Sequence, residues 1–223
     1  MTKIFEDDYF LILDKPSGIA SARLKSDTKE SLSSLVFSQY PEIENIKGKL
    51  LWEGGIVHRL DTLTSGLVMF CKTQQVFDDI LQQQLEDRVE KTYRAKVERV
   101  KPNDTFIPYP YHDVINKNGT IDSLFRSYGQ KGSAVRPLLN DKFNKTNLRT
   151  YSTTTKTETK NSVICTLTRG FRHQVRCHLA WSGYAIVGDE LYGAEKNQSF
   201  GLDAIAIKFY HPIEKKLMLI SKE

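Results

Sequence analysis

The residues best suited to chemistry stand in one short stretch, "HRLDTLTSG" at positions 58–66. It gathers an imidazole (His58), a guanidinium (Arg59), a carboxylate (Asp61) and three hydroxyls (Thr62, Thr64, Ser65), and it ends in a glycine. A core strand has no use for so many polar groups, and an ordinary surface turn seldom needs a cation and an imidazole beside its carboxylate. By residue type alone, Asp61 can be a nucleophile, a general base, a metal ligand or a turn-forming residue. Ser65 is a poor candidate for a hydrolase nucleophile: the G-x-S-x-G elbow is absent, since Leu63 stands two residues before it.

Two further clusters carry chemistry. In "RGFRHQVRCHLAWSG", residues 169–183, helical spacing places Arg172 and Arg176 one turn apart, with His173 and Ala180 near that stripe and Val175 and Leu179 toward a core. The stripe is either a solvated basic face or an anion-binding one. His173 and His178 are five apart, the wrong interval for an H-x-x-x-H zinc pair, and His173 reads as a hydrogen-bonded scaffold residue. In "KTYRAKV", residues 91–97, Tyr93, Ala95 and Val97 alternate as on a strand. Tyr93 is a core aromatic or, if exposed, a stacking platform for a base with Lys91, Arg94 and Lys96 as a phosphate-binding rim. There is no GxGxxG, no P-loop and no metal-binding cluster. What remains is an enzyme without a cofactor, built on one carboxylate, arginines and an aromatic ring.

These residues need elements to hold them. "IFEDDYFLILDKPSG" reads as two strands joined by an acidic turn at Asp7–Asp8 and closed by a Lys15-Pro16-Ser17-Gly18 turn. "SLSSLVFSQY" has helical spacing, with serines to cap its start. "GLVMFCK" is a buried strand, and "VFDDILQQQLEDRV" an amphipathic helix with Phe77, Leu81, Leu85 and Val89 at intervals of four. Residues 101–160 are polar and rich in threonine and lysine, and they read as surface loops and hairpins, a variable insert. "VICTLT", "AIAIKFYHP" and "KLMLI" return as strands. Strands and helices do not alternate regularly, so an α+β fold with a mixed sheet is expected.

With 223 residues, 39% of them hydrophobic and 26% charged, the chain has the composition of a globular protein. No linker or repeat divides it, so one domain over 1–223 is expected. The 32 Lys and Arg against 27 Asp and Glu leave a net charge of +5, a surplus that tolerates a polyanion such as RNA without requiring one. The three cysteines, Cys71, Cys165 and Cys177, form no CxxC pair, which fits a reducing, cytoplasmic setting. The first residues, "MTKIFEDDYF", lack the long apolar stretch expected of a signal peptide, and no run approaches the ~20 apolar residues of a membrane span.

Taken together and in this order, the motifs resemble those of the pseudouridine synthases, specifically the RluA-type branch. "HRLDTLTSG" is similar to H-R-L-D-x-x-T-S-G, "KTYRAKV" to K-x-Y-x-A-x-V, and "RHQVRCHLAWSGYAIVGDELYG" to H-Q-[IV]-R-x-H-L followed by G-D-x-x-Y-G. "DKPSG" resembles the opening K-P-x-G turn. The resemblance implies an α+β catalytic fold, a mixed and mostly antiparallel sheet flanked by helices, that isomerises uridines in structured RNA, ribosomal or transfer, without cofactor or metal and as a monomer. It implies that Asp61 is the essential carboxylate, that Tyr93 stacks on the target base, that Arg176 pairs with the carboxylate, and that Arg59 fills the space the base vacates. Thr64, Ser65 and Gly66 would shape the loop.

Two departures stand out. Phe171 occupies the place of an arginine two residues before the H-Q pair, with Arg172 one position later, and 101–160 lacks the usual short glycine-rich hairpin. The sequence begins directly at the catalytic domain, so RNA recognition is expected from this domain itself. The competing readings are an RNA-binding protein that keeps the fold without the activity, and a metal-dependent hydrolase using His58, Asp61 and His173.

Overall fold

Antiparallel pairing of β1 (Thr2–Glu6) with β2 (Phe10–Lys15), through the Asp7–Asp8 turn, starts the chain. Asp7 Oδ1 accepts the backbone N–H groups of Tyr9 (2.8 Å) and Phe10 (2.6 Å), which is why an acidic residue closes this turn. The computed structural model describes residues 2–23, 30–50, 52–101, 106–111, 115, 118–139, 149–195 and 199–222. They form two compact units, Met1–Lys91 with Asp203–Glu223, and Thr92–Leu202.

In the first unit β2 pairs antiparallel with β3 (Ser65–Cys71), β3 lies parallel to β10 (Leu202–Tyr210), and β10 pairs antiparallel with β11 (Leu217–Ser221). Helix α1 (Leu32–Gln39) is started by a capping box between Ser31 and Ser34, and the short α2 (Pro41–Glu44) follows it. Helix α3 (Gln74–Leu85) is capped by Thr73. Its buried face is Val76, Phe77, Ile80 and Gln83, whereas Leu85 is 63% exposed. The interval of four expected from sequence drifts off the true 3.6-residue period, so Leu85 turns into solvent; Val89, beyond the helix, is buried in the core. That core joins Phe10, Ile12, Leu67, Met69, Phe77, Ile80 and Phe209.

The parallel contact between β3 and β10 explains the glycine that ends "HRLDTLTSG". Gly66 has φ +114°, and a Cβ there would lie 2.3 Å from the Ala204 carbonyl oxygen. Gly66→Ala is therefore expected to destabilise the protein by about 2–4 kcal/mol, from backbone strain plus overlap, as read by urea unfolding.

The second unit is a sheet in the order β4 (Glu90–Arg99, its first two residues in the first unit), β8 (Ser162–Leu167), β7 (Tyr151–Thr159), β5 (Thr120–Tyr128), β6 (Ala134–Leu138), with β9 (Tyr184–Ile186) on β4. Helix α4 (Gln174–Trp181) packs on it and every one of its residues is buried. Both units thus combine mostly antiparallel strands with helices, an α+β architecture.

Residues 101–160 correct the reading of loops. Three strands lie there, and Ile121, Phe125, Val135, Thr153 and Thr155 are buried. Thr153 and Thr155 alternate inward on β7, where β-branched threonine suits a strand and its hydroxyl finds a partner. Positions 102–105, 112–114, 116–117 and 140–148 of this region lie outside the described residues.

Candidate active site

The loop that carries Asp61 has its backbone tied down by the segment after β2. Lys15 is fully buried, and its ammonium donates to the carbonyls of Pro16 (2.9 Å), Ile19 (2.9 Å) and Thr62 (3.1 Å). Gly18 N–H also donates to Thr62 O (2.8 Å), Ser17 Oγ to Leu63 O (2.6 Å), and Ser21 Oγ both donates to Leu60 O (2.8 Å) and accepts from Leu60 N–H (2.9 Å). Thr64 N–H closes the turn on Asp61 O at 3.1 Å, and Ser65 Oγ donates to Asp203 Oδ1 at 2.8 Å. Burial pushes Lys15 down to about 8, while the negative charges of Asp61 and Asp14 act the other way. Lys15 is therefore the buried cation under the loop, with all three N–H groups committed to carbonyls. Sequence reading placed "DKPSG" only as a turn; its lysine is what couples that turn to the Asp61 loop.

His58 and Arg59 precede Asp61 but have different surroundings. His58 Nε2 accepts from Met69 N–H (3.4 Å), and burial, then the Lys91 and Lys49 cations, hold the ring down to about 3, so it is neutral. Arg59 is exposed, with Nη1 donating to the buried Glu53 at 2.9 Å. Glu53, in "WEGG", is thus a second residue whose part the motifs did not reveal.

In the second unit Tyr93 is partly buried against the cluster that contains Val175 and Leu179 of α4. Strand alternation corrects the expected cationic rim: Arg94 and Lys96 sit on the opposite face of β4 from Tyr93, and Arg94 forks onto Glu158 at 3.0–3.2 Å. The arginine stripe is also corrected. Helix α4 starts at Gln174, His173 precedes it with φ 56°, and Arg172 lies outside it, donating to the carbonyls of Gly132 and Ala134.

Arg176 is 6% exposed and forks onto Asp189, Nε to Oδ2 at 2.7 Å and Nη2 to Oδ1 at 2.9 Å. The rings of Tyr192 and Phe200 stand 5.2 and 5.3 Å from its guanidinium. Tyr192 Oη in turn accepts from Val135 N–H (3.0 Å) and meets His173 Nδ1 (3.1 Å). The Asp and Tyr of "GDELYG" thereby hold the guanidinium by an edge and a face, roles that the motif's spacing alone does not disclose. His178 bonds Ser123 (2.9 Å) and Thr153 (2.8 Å), and burial pushes it down to about 3, the behaviour of a scaffold histidine. Phe171, where the family arginine was expected, stacks on Phe125 at 5.1 Å and 10° and packs on Tyr151.

Asp61 and Arg59 thus share one loop of the first unit, and Tyr93 and Arg176 lie on β4 and α4 of the second. Among the described residues no three of His, Cys, Asp and Glu come together as a metal site, and no helix is long and apolar enough to cross a membrane.

The chain belongs to the RNA pseudouridylate synthase family, whose model matches residues 9–181. It is 30% identical to the dual-specificity RNA pseudouridine synthase RluA of Vibrio parahaemolyticus, over 94% of this chain and 77% of that protein, which sets it in the RluA-type branch. Ribosomal large subunit pseudouridine synthase C of Buchnera aphidicola is 30% identical over 98% of this chain and 65% of its own length. Synthase D of Pseudomonas aeruginosa is 28% identical over 85% of this chain and 52% of its own. The chain thus spans about half to two thirds of several of these relatives. Human RNA pseudouridylate synthase domain containing 1 superposes with a TM-score of 0.67 at 17% identity, covering 100% of this chain and 82% of that one, so the two share a fold.

Proposed function

We propose that this chain isomerises specific uridines in structured RNA to pseudouridine, with Asp61 as the essential carboxylate. The observation that carries the reading is the family match over residues 9–181, which includes the loop presenting Asp61 on a backbone clamped by Lys15, Ser17, Gly18 and Ser21. In the reaction the N1–C1′ bond breaks, the base turns over and C5 joins C1′, with the C5 proton lost to solvent and a proton taken up at N1. Nothing is oxidised or hydrolysed, so the reaction asks for no redox group. Asp61 acts on the sugar or base, Arg176 serves the carboxylate or substrate from its Asp189 fork, and Arg59, exposed on the same loop as Asp61, enters the stack the uridine leaves. Unstacking costs a few kcal/mol, which stacking on Tyr93 partly offsets at about 1–3 kcal/mol.

The RNA is ribosomal or transfer RNA. The names of the relatives support this choice, two referring to the large ribosomal subunit and one to dual specificity. The protein works in the cytoplasm, as a monomer and as one catalytic domain. The test is a pseudouridine map of cellular RNA by carbodiimide-dependent reverse-transcription stops, with and without the gene. Stops that vanish with the gene and return with wild type name the substrate; a map that never changes, together with purified protein inert on transcribed RNA, leaves an RNA-binding protein instead. Activity that survives EDTA disposes of the hydrolase.

Tyr93→Ala is expected to lower isomerisation about 10- to 100-fold through lost stacking, whereas Tyr93→Phe retains most of it. Single-turnover rates on the mapped RNA check the pair; equal losses in both would assign Tyr93 to its hydroxyl rather than its ring.

A further inference from the structure

Four strands of the first unit end in polar residues at one rim of its core. Side chains alternate along a strand, so every second residue faces the same side. On β2 that row is Phe10, Ile12 and Asp14, and on β3 it runs back from Cys71, Met69 and Leu67 to Ser65. On β10 it runs back from Phe209 and Ile207 to Asp203, and on β11 from Met218 and Ile220 to Lys222, just beyond the strand. The apolar members of all four rows pack in one cluster. Pairing of Asp14 with Leu67 and of Ser65 with Asp203 then gathers the four polar ends.

Their contacts are direct. Lys222 Nζ donates to Asp14 Oδ1 at 2.8 Å and reaches Asp203 Oδ1 at 2.7 Å, and Ser65 Oγ donates to that same Asp203 oxygen at 2.8 Å. The Lys222 N–H donates to Ile205 O at 3.0 Å, which fixes its backbone against β10. Burial lowers the lysine, but its bonds to Asp14 and Asp203 outweigh that and hold its pKa above the usual lysine value, so it is a cation. One ammonium thus joins β2 to β10 across β3, at the residue where the Asp61 loop enters β3.

That place matters because residues 57–64 form neither helix nor strand. Lys15, Ser17, Gly18 and Ser21 hold the loop along its length, and Ser65 holds its end. Asp14 and Asp203 carry like charges on the two strands that flank β3, and the ammonium between them turns a repulsion into a tie. Partly exposed ion pairs add little stability. The consequence of this one lies in where it holds the loop.

We propose that Lys222 is a positioning residue for the isomerisation: through Asp203 and Ser65 it sets the end of the Asp61 loop, and with it the carboxylate. The inference rests on the proposed function and deepens it by naming what fixes the loop from outside the motif.

The test compares full-chain Lys222→Met, Lys222→Arg, Ser65→Ala and the double variant Lys222→Met/Ser65→Ala with wild type. The substrate is a transcript carrying the mapped uridine, at a temperature where urea unfolding shows each protein folded. Lys222→Met is expected to lower the single-turnover rate at saturating RNA about 10- to 100-fold while the dissociation constant stays within about twofold, because a misplaced reacting group loses rate rather than binding. Lys222→Arg keeps the charge and can fork between the carboxylates, so it should recover most of the rate. Lys222 and Ser65 act through the same Asp203 oxygen, so the double variant should lose little more than Lys222→Met alone. Ser65→Ala leaves the charges untouched, and it carries the same rate-against-affinity comparison should Lys222→Met fail to fold. An unchanged rate in Lys222→Met, a loss of affinity as large as the loss of rate, or losses that multiply in the double variant would each overturn the role. Wild type that isomerises no uridine rejects the proposed function instead. Amide hydrogen exchange of Thr64, Ser65 and Gly66 then still reads the tie, faster in Lys222→Met if it holds the loop and unchanged if it does not.

Discussion

Asp61→Asn is expected to fold, to bind RNA with near wild-type affinity, and to lose isomerisation by about four orders of magnitude or more. The substitution is isosteric and leaves the described bonds to the loop's backbone in place. Thr64 N–H bonds the Asp61 carbonyl, and Lys15, Ser17, Gly18 and Ser21 bond the backbone of residues 60–63. A change in stability within about 1 kcal/mol is therefore expected. What the amide cannot do is carry the negative charge or attack as a nucleophile. Purified variant and wild type, compared on the mapped RNA by single-turnover release of the C5 proton, give the ratio. A variant with even a tenth of wild-type rate would move the chemistry to another group.

The second large effect belongs to the Arg176–Asp189 fork. Asp189 is 1% exposed, and its two oxygens meet the guanidinium at 2.7 and 2.9 Å. Asp189→Ala leaves a buried arginine with its principal counter-charge gone, at a cost of about 3–5 kcal/mol, read as a drop in the urea midpoint. Asp189→Asn keeps the shape and one acceptor, so it should cost less and stay folded. In that variant the turnover step should fall while RNA affinity holds, since Arg176 keeps its place but loses the fork that orients it. An Asp189→Asn protein with unchanged turnover would restrict Asp189 to a structural role.

How far the site was legible depended on the range of each interaction. "HRLDTLTSG" and "KTYRAKV" could be read from sequence because their chemistry sits in adjacent residues. The three cationic neighbours of Tyr93 could be counted but not placed until strand alternation sent Arg94 and Lys96 to the far face. The arginine stripe failed because His173 adopts φ 56°, so the helix starts two residues later, at Gln174, and Arg172 is released to the β5–β6 hairpin. Threonines in 151–159 looked like a solvated loop by polarity, yet their branching at Cβ favours a strand, and pairing with β5 and β8 buries two of them.

The sequence by itself determined the α+β class and the family, because these follow from local pattern and from motifs whose order survives any packing. Only the tertiary structure decided that Lys15 clamps the Asp61 loop, that Glu53 holds Arg59, and that Asp189 and Tyr192 grip Arg176. In each of these three cases the role of a charge was set by which groups lie within a few ångströms of it and how much water is excluded, and neither quantity is written in a residue's neighbours along the chain.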